Sequence, residues 1–208
     1  MIETKNIYFK YKNGPDFRFP DISLKSSEDL LISGPSGIGK TTLLHLLGLL
    51  LSAKEGSLII NNTETSTLSE KEKDIFRGKH IGIVFQKPGF IQSLSVLENI
   101  EAKLFFSKSS ATSNRIDEIL ERLEISHLKH KNVLQLSEGQ KQRLSIAVAM
   151  INKPSVILAD EPTSHLDDSN SENVILLLKE VAGAANANLV LITHDKRINS
   201  KFDKILTL

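Results

Sequence analysis

The run Gly34-Pro35-Ser36-Gly37-Ile38-Gly39-Lys40-Thr41 constrains this chain most. It fits the pattern G-x-x-x-x-G-K-[ST] and lies between a short apolar strand, Leu30 to Ser33, and a helix predicted from Lys40 to about Ser52. Strand, tight glycine turn and helix start is the context that pattern requires. Glycines allow successive backbone N–H groups to curl around phosphate oxygens without a Cβ clash. The helix N-terminus adds its partial positive charge. Lys40 then reaches the β- and γ-phosphates, the Thr41 hydroxyl is a Mg²⁺ ligand, and Thr42 continues the binding turn. A chance glycine-rich turn gives the same letters in fewer than about one chain in a hundred.

A second strand end carries the complementary chemistry. Val156-Ile157-Leu158-Ala159 reads as a buried strand that runs into Asp160-Glu161 and is stopped by Pro162. In open α/β sheets ligands bind at the carboxyl ends of strands. Asp160 suits Mg²⁺, directly or through water, and Glu161 suits a general base that orients an attacking water. Asp-Glu alone would be an ordinary solvated turn. That reading loses here, because a phosphate loop needs a metal ligand and a water-positioning group.

The rest of the chain fits an α/β fold with a largely parallel sheet. Ile2 to Lys25 differs, with short alternating apolar pieces around Asn13-Gly14-Pro15 that predict antiparallel strands. Strands are also predicted at Ser57 to Ile60, Ile81 to Phe85 and Leu189 to Ile192. Ile116, Ile119, Leu120 and Leu123 fall on one helix face, as do Leu144, Ala147, Val148 and Ile151. Ser107 to Asn114 reads as a loop, Glu70 to Lys73 as a solvated helix face, and Val174 to Val181 as a helix. Two strand-rich stretches, before about residue 86 and after about 153, thus flank a helical insert.

Composition removes several alternatives. The chain has 208 residues with 26 basic and 25 acidic side chains, a net charge of +1, so bulk charge does not favour nucleic acid. It has no cysteine, which excludes disulfides, iron–sulfur clusters and thiol nucleophiles. Aromatic residues make up 5%, too few for a stacking platform. His127 and His130 share a helical spacing without a third ligand and read as surface residues. The most apolar window, Leu43 to Leu51, is far shorter than the ~18–20 residues of a membrane span, and no signal peptide is evident.

Between the phosphate loop and the acidic strand end lies Leu136-Ser137-Glu138-Gly139-Gln140-Lys141-Gln142-Arg143. Alone, it reads equally well as a capping box, with Ser137 as N-cap and Gln140 three residues on. In this position it resembles L-S-G-G-Q-x-Q-R, the signature of the ATP-binding cassette (ABC) transporter ATPases. The resemblance covers essentially the whole chain. Val84-Phe85-Gln86 resembles the family's Q-loop, Ser164-His165-Leu166-Asp167 its D-loop and Thr193-His194-Asp195 its H-loop. The stretch Val84-Phe85-Gln86 to Leu94-Ser95-Val96-Leu97-Glu98-Asn99-Ile100 resembles the macrolide-export, lipoprotein-release and cell-division branch.

The resemblance implies an α/β fold: a RecA-like P-loop NTPase core with an antiparallel β flank, at 1–86 and 153–208, and an inserted α-helical subdomain at 87–152. It implies an ATPase that dimerises, as homodimer or heterodimer, around ATP and Mg²⁺. Pro35, Ser36 and Ile38 join the glycines in the loop. Ser137, Gly139 and Gln140 would meet ATP held by the opposite subunit, and Asp167 would cross the dimer interface. Gln86 would sense the metal or the attacking water, and His194 would contact the γ-phosphate. Tyr11 resembles the aromatic that stacks on adenine, although Tyr8 and Phe9 are close by and core packing is the default for aromatics. A separate membrane permease would dock near Gln86 to Leu97, where Phe90 and Ile91 look exposed. The chain would then sit in the cytoplasm, peripheral on the membrane face. A mechanical or regulatory signal without transport is the alternative, and a soluble role in translation or repair ranks below both. The stop at Leu208 tilts the expectation toward export or extraction. Two departures stand out. Glu138 replaces a signature glycine, at a helix start where an acid can face solvent. His165 replaces a small D-loop residue and would crowd the interface or make it pH-sensitive.

Overall fold

The computed structural model describes residues 1–109, 112–164 and 168–208. Its strands are β1 (Ile2–Lys10), β2 (Asp16–Arg18), β3 (Ser23–Leu24), β4 (Asp29–Ser33), β5 (Glu55–Ile60), β6 (Thr63–Glu64), β7 (Ile81–Val84), β8 (Val156–Asp160), β9 (Asn188–Ile192) and β10 (Ile205–Thr207). Its α-helices are α1 (Lys40–Leu47), α2 (Glu70–His80), α3 (Val96–Phe106), α4 (Ser113–Arg122), α5 (Glu138–Met150) and α6 (Asp168–Ala184).

Two sheets form. In one, β1 pairs antiparallel with β2, β3 and β5, and β5 pairs with β6. This is the antiparallel flank expected from the N-terminal alternation, with the hairpin closing around Asn13-Gly14-Pro15. The other is wholly parallel, in the order β10-β4-β9-β8-β7. Its central strands are continuous apolar runs because both faces are covered. Period-two alternation divides them between two cores. Leu31, Ile157, Ala159, Leu189 and Leu191 face α3 to α6. Leu30, Ile32, Leu158, Val190 and Ile192 face α1 and the antiparallel sheet.

Several elements differ from expectation: α4 begins at Ser113, inside the stretch read as a loop to Asn114, and the short β6 was not expected. Helix α1 ends at Leu47, not near Ser52: Gly48 caps it, and Leu49 turns the chain with φ 54. Helix α6 is longer at both ends than the apolar run 174–181. Strand β10 was not expected, and it adds an edge to β4. Helix α2 extends the charged face at Glu70 to Lys73 and begins with a Ser69–Glu72 capping box. His127 and His130 are exposed, as expected. No helix among the described residues is long and apolar enough to cross a membrane.

Helix α5 approaches the sheet closely at Gly82 of β7. A Cβ there would overlap the carbonyl oxygen of Ala149. Gly82→Ala is therefore expected to destabilise the chain by about 1–3 kcal/mol, the usual range for overpacking. Chemical denaturation with an unchanged m-value checks it.

Candidate active site

The parallel sheet decides what meets what. Strand β9 lies between β4 and β8, with Ile32 opposite Ile192 and Ile192 opposite Asp160. Because the strands are parallel, their carboxyl ends share one edge. The glycine loop leaves β4, Asp160-Glu161 leaves β8, and Thr193-His194 leaves β9 at that edge.

The loop is shaped by its own contacts. Gly39 has φ 107, and a Cβ there would stand 2.6 Å from the Phe17 ring. Only glycine satisfies both the backbone and the ring. The buried Lys40 ammonium donates to the carbonyls of Gly34 at 2.8 Å and Pro35 at 2.9 Å, curling the loop over its own side chain. Ser36 is exposed, as is Ile38. The Tyr11 hydroxyl lies 3.1 Å from that of Thr42. Its ring meets Phe9 edge-on at 4.7 Å and Phe17 at 6.3 Å, and the residue stays partly exposed. Tyr11 thus stands at the start of α1, beside the loop.

The Thr41 hydroxyl donates to Asp160 Oδ1 at 3.4 Å. Burial raises the Asp160 pKa, and the neighbouring Glu161 carboxylate adds to the effect; Thr41, His45 and Lys40 oppose it. A hydroxyl and a desolvated carboxylate held this close are hard oxygen donors suited to Mg²⁺. No group of three His, Asp or Glu side chains gathers for a metal among the described residues. Mg²⁺ fits that sparse set, since it takes one or two carboxylates together with phosphate oxygens and water.

Glu161 has φ 44, a left-handed conformation uncommon for a residue with a long side chain. Its N–H still donates to the Ile192 carbonyl at 2.9 Å, so the turn is made while the residue remains tied to β9. Its carboxylate is clamped on both oxygens. The Thr193 hydroxyl donates to Oε2 at 3.2 Å, and His194 Nδ1 lies 2.8 Å from Oε1. The Glu161 side chain is 14% exposed and that of His194 65%, so the acid is shielded and the imidazole faces outward. The sequence places Thr193 in the H-loop triplet but gives it no role; its signal is a hydroxyl next to His194 at a strand end.

Gln86 leaves β7 and donates from Nε2 to the Ser164 hydroxyl at 3.2 Å. At the start of α5 the signature forms a complete capping box. Ser137 Oγ accepts from Gln140 N–H at 3.3 Å, and Gln140 Oε1 accepts from Ser137 N–H at 3.0 Å. Gly139 has open space around it. The exposed Glu138 pairs with Lys141 at 2.8 Å, one helical turn on. No hydrogen bond joins Ser137, Gly139 or Gln140 to the phosphate loop among the described residues. His165 and Asp167 lie outside the described residues.

A family model described as ABC transporter matches residues 19–164. The lipoprotein-releasing system ATP-binding protein LolD of Pseudoalteromonas translucida is 35% identical over 214 residues, taking in 100% of this chain and 92% of that protein. The macrolide export ATP-binding/permease protein MacB of Pasteurella multocida is 38% identical over 215 residues, taking in 100% of this chain but 33% of that protein. The ATP-binding cassette MJ0796 of Methanocaldococcus jannaschii, solved as a dimer in a post-hydrolysis state with ADP and Pi, matches with a TM-score of 0.88 at 35% identity. That match covers 100% of this chain and 94% of the other. The chain belongs to the ABC transporter family. It is an ATP-binding, ATP-hydrolysing subunit with a RecA-like α/β core.

Two outcomes follow from the site. A carboxyl whose pKa rises on folding favours the folded state below the unfolded pKa, and that advantage is lost as pH rises through the folded pKa. Asp160→Asn removes the buried charge. In EDTA without nucleotide it is expected to raise the thermal midpoint at pH 7.5, by an amount that shrinks as pH falls, seen by calorimetry across pH. Ser137→Ala is expected to cost about 1 kcal/mol through loss of the N-cap, and Ser137→Thr to keep most of it, as read by urea titration.

Proposed function

We propose that this chain drives a separate membrane permease by binding ATP between two cassettes and hydrolysing it. The observation that carries the reading is the Glu161 carboxylate, held by Thr193 and His194 on the strand edge that bears the phosphate loop. A shielded carboxylate fixed on both oxygens is pre-oriented to accept a proton from an attacking water.

The roles follow from position. The loop N–H groups of Gly34 to Thr42 cradle the phosphates, and Lys40 exchanges its loop carbonyls for β- and γ-oxygens. Tyr11 offers its ring to adenine. Thr41, Asp160 and Gln86 would hold Mg²⁺, which when bound neutralises charge on the phosphates. Glu161 takes the proton of the attacking water, and His194 turns its outward imidazole to the γ-phosphate. Ser137, Gly139, Gln140 and Asp167 belong to the opposite half of the sandwich, consistent with a signature that makes no bond to its own loop. ATP touching both halves closes the pair, and its products release them.

The helical segment 87–152 acts as the subdomain that carries the signature. A groove between it and the core is bounded by Leu50, Ile83, Phe85, Phe90 and Val148 and receives the permease beside Gln86. Exposed Leu50, Phe85 and Ile91 give that region an apolar surface. The subunit would act peripherally at the cytoplasmic membrane face, with export or extraction the direction favoured by LolD and MacB.

Glu161→Gln is expected to lower the ATPase rate by about 10²–10⁴-fold, the range for loss of a general base. It should also leave an ATP-dependent dimer visible by light scattering. Lys40→Ala is expected to abolish that dimer by weakening nucleotide binding itself. Wild-type turnover in Glu161→Gln would overturn the assignment.

A further inference from the structure

The groove contains a charge that nothing in it answers. Lys103 of α3 lines the groove, whose volume is about 260 Å³, together with Arg77 of α2 and apolar side chains. The Arg77 guanidinium is already satisfied, donating to Asp74 Oδ1 at 2.6 Å and to the Leu49 carbonyl at 2.9 Å. The Lys103 ammonium has no hydrogen bond or ion pair among the described residues. Burial and the nearby Arg77 push its pKa below the ordinary lysine value. Lys103 is half-buried and its ammonium still reaches solvent. An apolar segment that covers the groove takes that water away, and the three donors then need an acceptor from the segment itself.

We propose that Lys103 is the anchor for one acidic side chain carried on an otherwise apolar segment of the permease, and that this pair selects the partner. The inference rests on the docking reading above and adds to it the chemistry of what docks. Apolar side chains of the segment cover Leu50, Phe85 and Phe90, while its carboxylate answers Lys103. A segment with lysine or arginine at that point meets two cations and is refused.

The test uses the full chain, tagged and purified in detergent with its membrane partner, and treated with a carbodiimide. This reagent joins an amine to a carboxylate with loss of water, forming an amide only between groups already in contact. The expected product is a cross-link from Lys103 to one aspartate or glutamate of the membrane protein, located by mass spectrometry. Lys103→Met and Lys103→Glu should lower partner recovery at least about tenfold, as for loss of one member of a desolvated ion pair. Lys103→Arg should retain it. Reversing the identified carboxylate to lysine should restore recovery with Lys103→Glu. Nucleotide binding unchanged in each variant confirms that it is folded. If the membrane protein is recovered equally with Lys103→Met, or is cross-linked only through other lysines, the anchor is wrong while docking stands. If no membrane protein is recovered with the wild-type chain, the docking reading falls and the anchor with it.

Discussion

Strand β9 is hydrogen-bonded on both sides, to β4 and to β8, and the working edge of the molecule depends on that pairing. It fixes the spacing between the phosphate loop and the acidic pair, and it delivers Thr193 and His194 into the gap between them. The register does more than place side chains. The Glu161 N–H extends the ladder to Ile192 although the residue itself has turned left-handed. A conformation that is costly for glutamate is thus held by a bond belonging to the sheet. Strain of this kind persists where surrounding structure over-determines it, and such sites are often functional.

The electrostatics divide the two carboxylates. Asp160 is buried beside Thr41 and carries a raised pKa, so it gains from any cation brought to it. Glu161 is satisfied already, with a donor or imidazole on each oxygen. One acid is desolvated beside a single hydroxyl, and the other is held on both oxygens. Neighbours in sequence meet different surroundings because the strand ends between them.

Much of this was legible in the sequence where local pattern and tertiary role coincide. The glycine loop, the apolar runs of β8 and β9 and the N-terminal alternation each report a local geometry that the fold keeps. What escaped depends on distant partners. Strand β10 is short, mostly exposed and defined only by pairing with β4. The end of α1 is set where Gly48 meets the side chains of Ile83 and Leu158. The clamp on Glu161 uses Thr193, 32 positions away, through a register that no local window contains. The signature shows the opposite case. The two readings of Ser137 and Gln140 do not compete, because the capping box that starts α5 leaves open space around Gly139 at the helix N-terminus. Glu138 fits there because its charge is turned to Lys141.

The central claim is that Thr193, His194 and Glu161 act as one unit. A double-mutant cycle on Thr193→Val and His194→Ala, read as the rate of ATP hydrolysis at saturating Mg-ATP, tests it most directly. Groups that act as a unit are strongly non-additive. Each single variant should slow hydrolysis, and the double variant should be little slower than the worse of the two. Losses that multiply, or single variants as fast as the wild type, would contradict the clamp as the source of the activity.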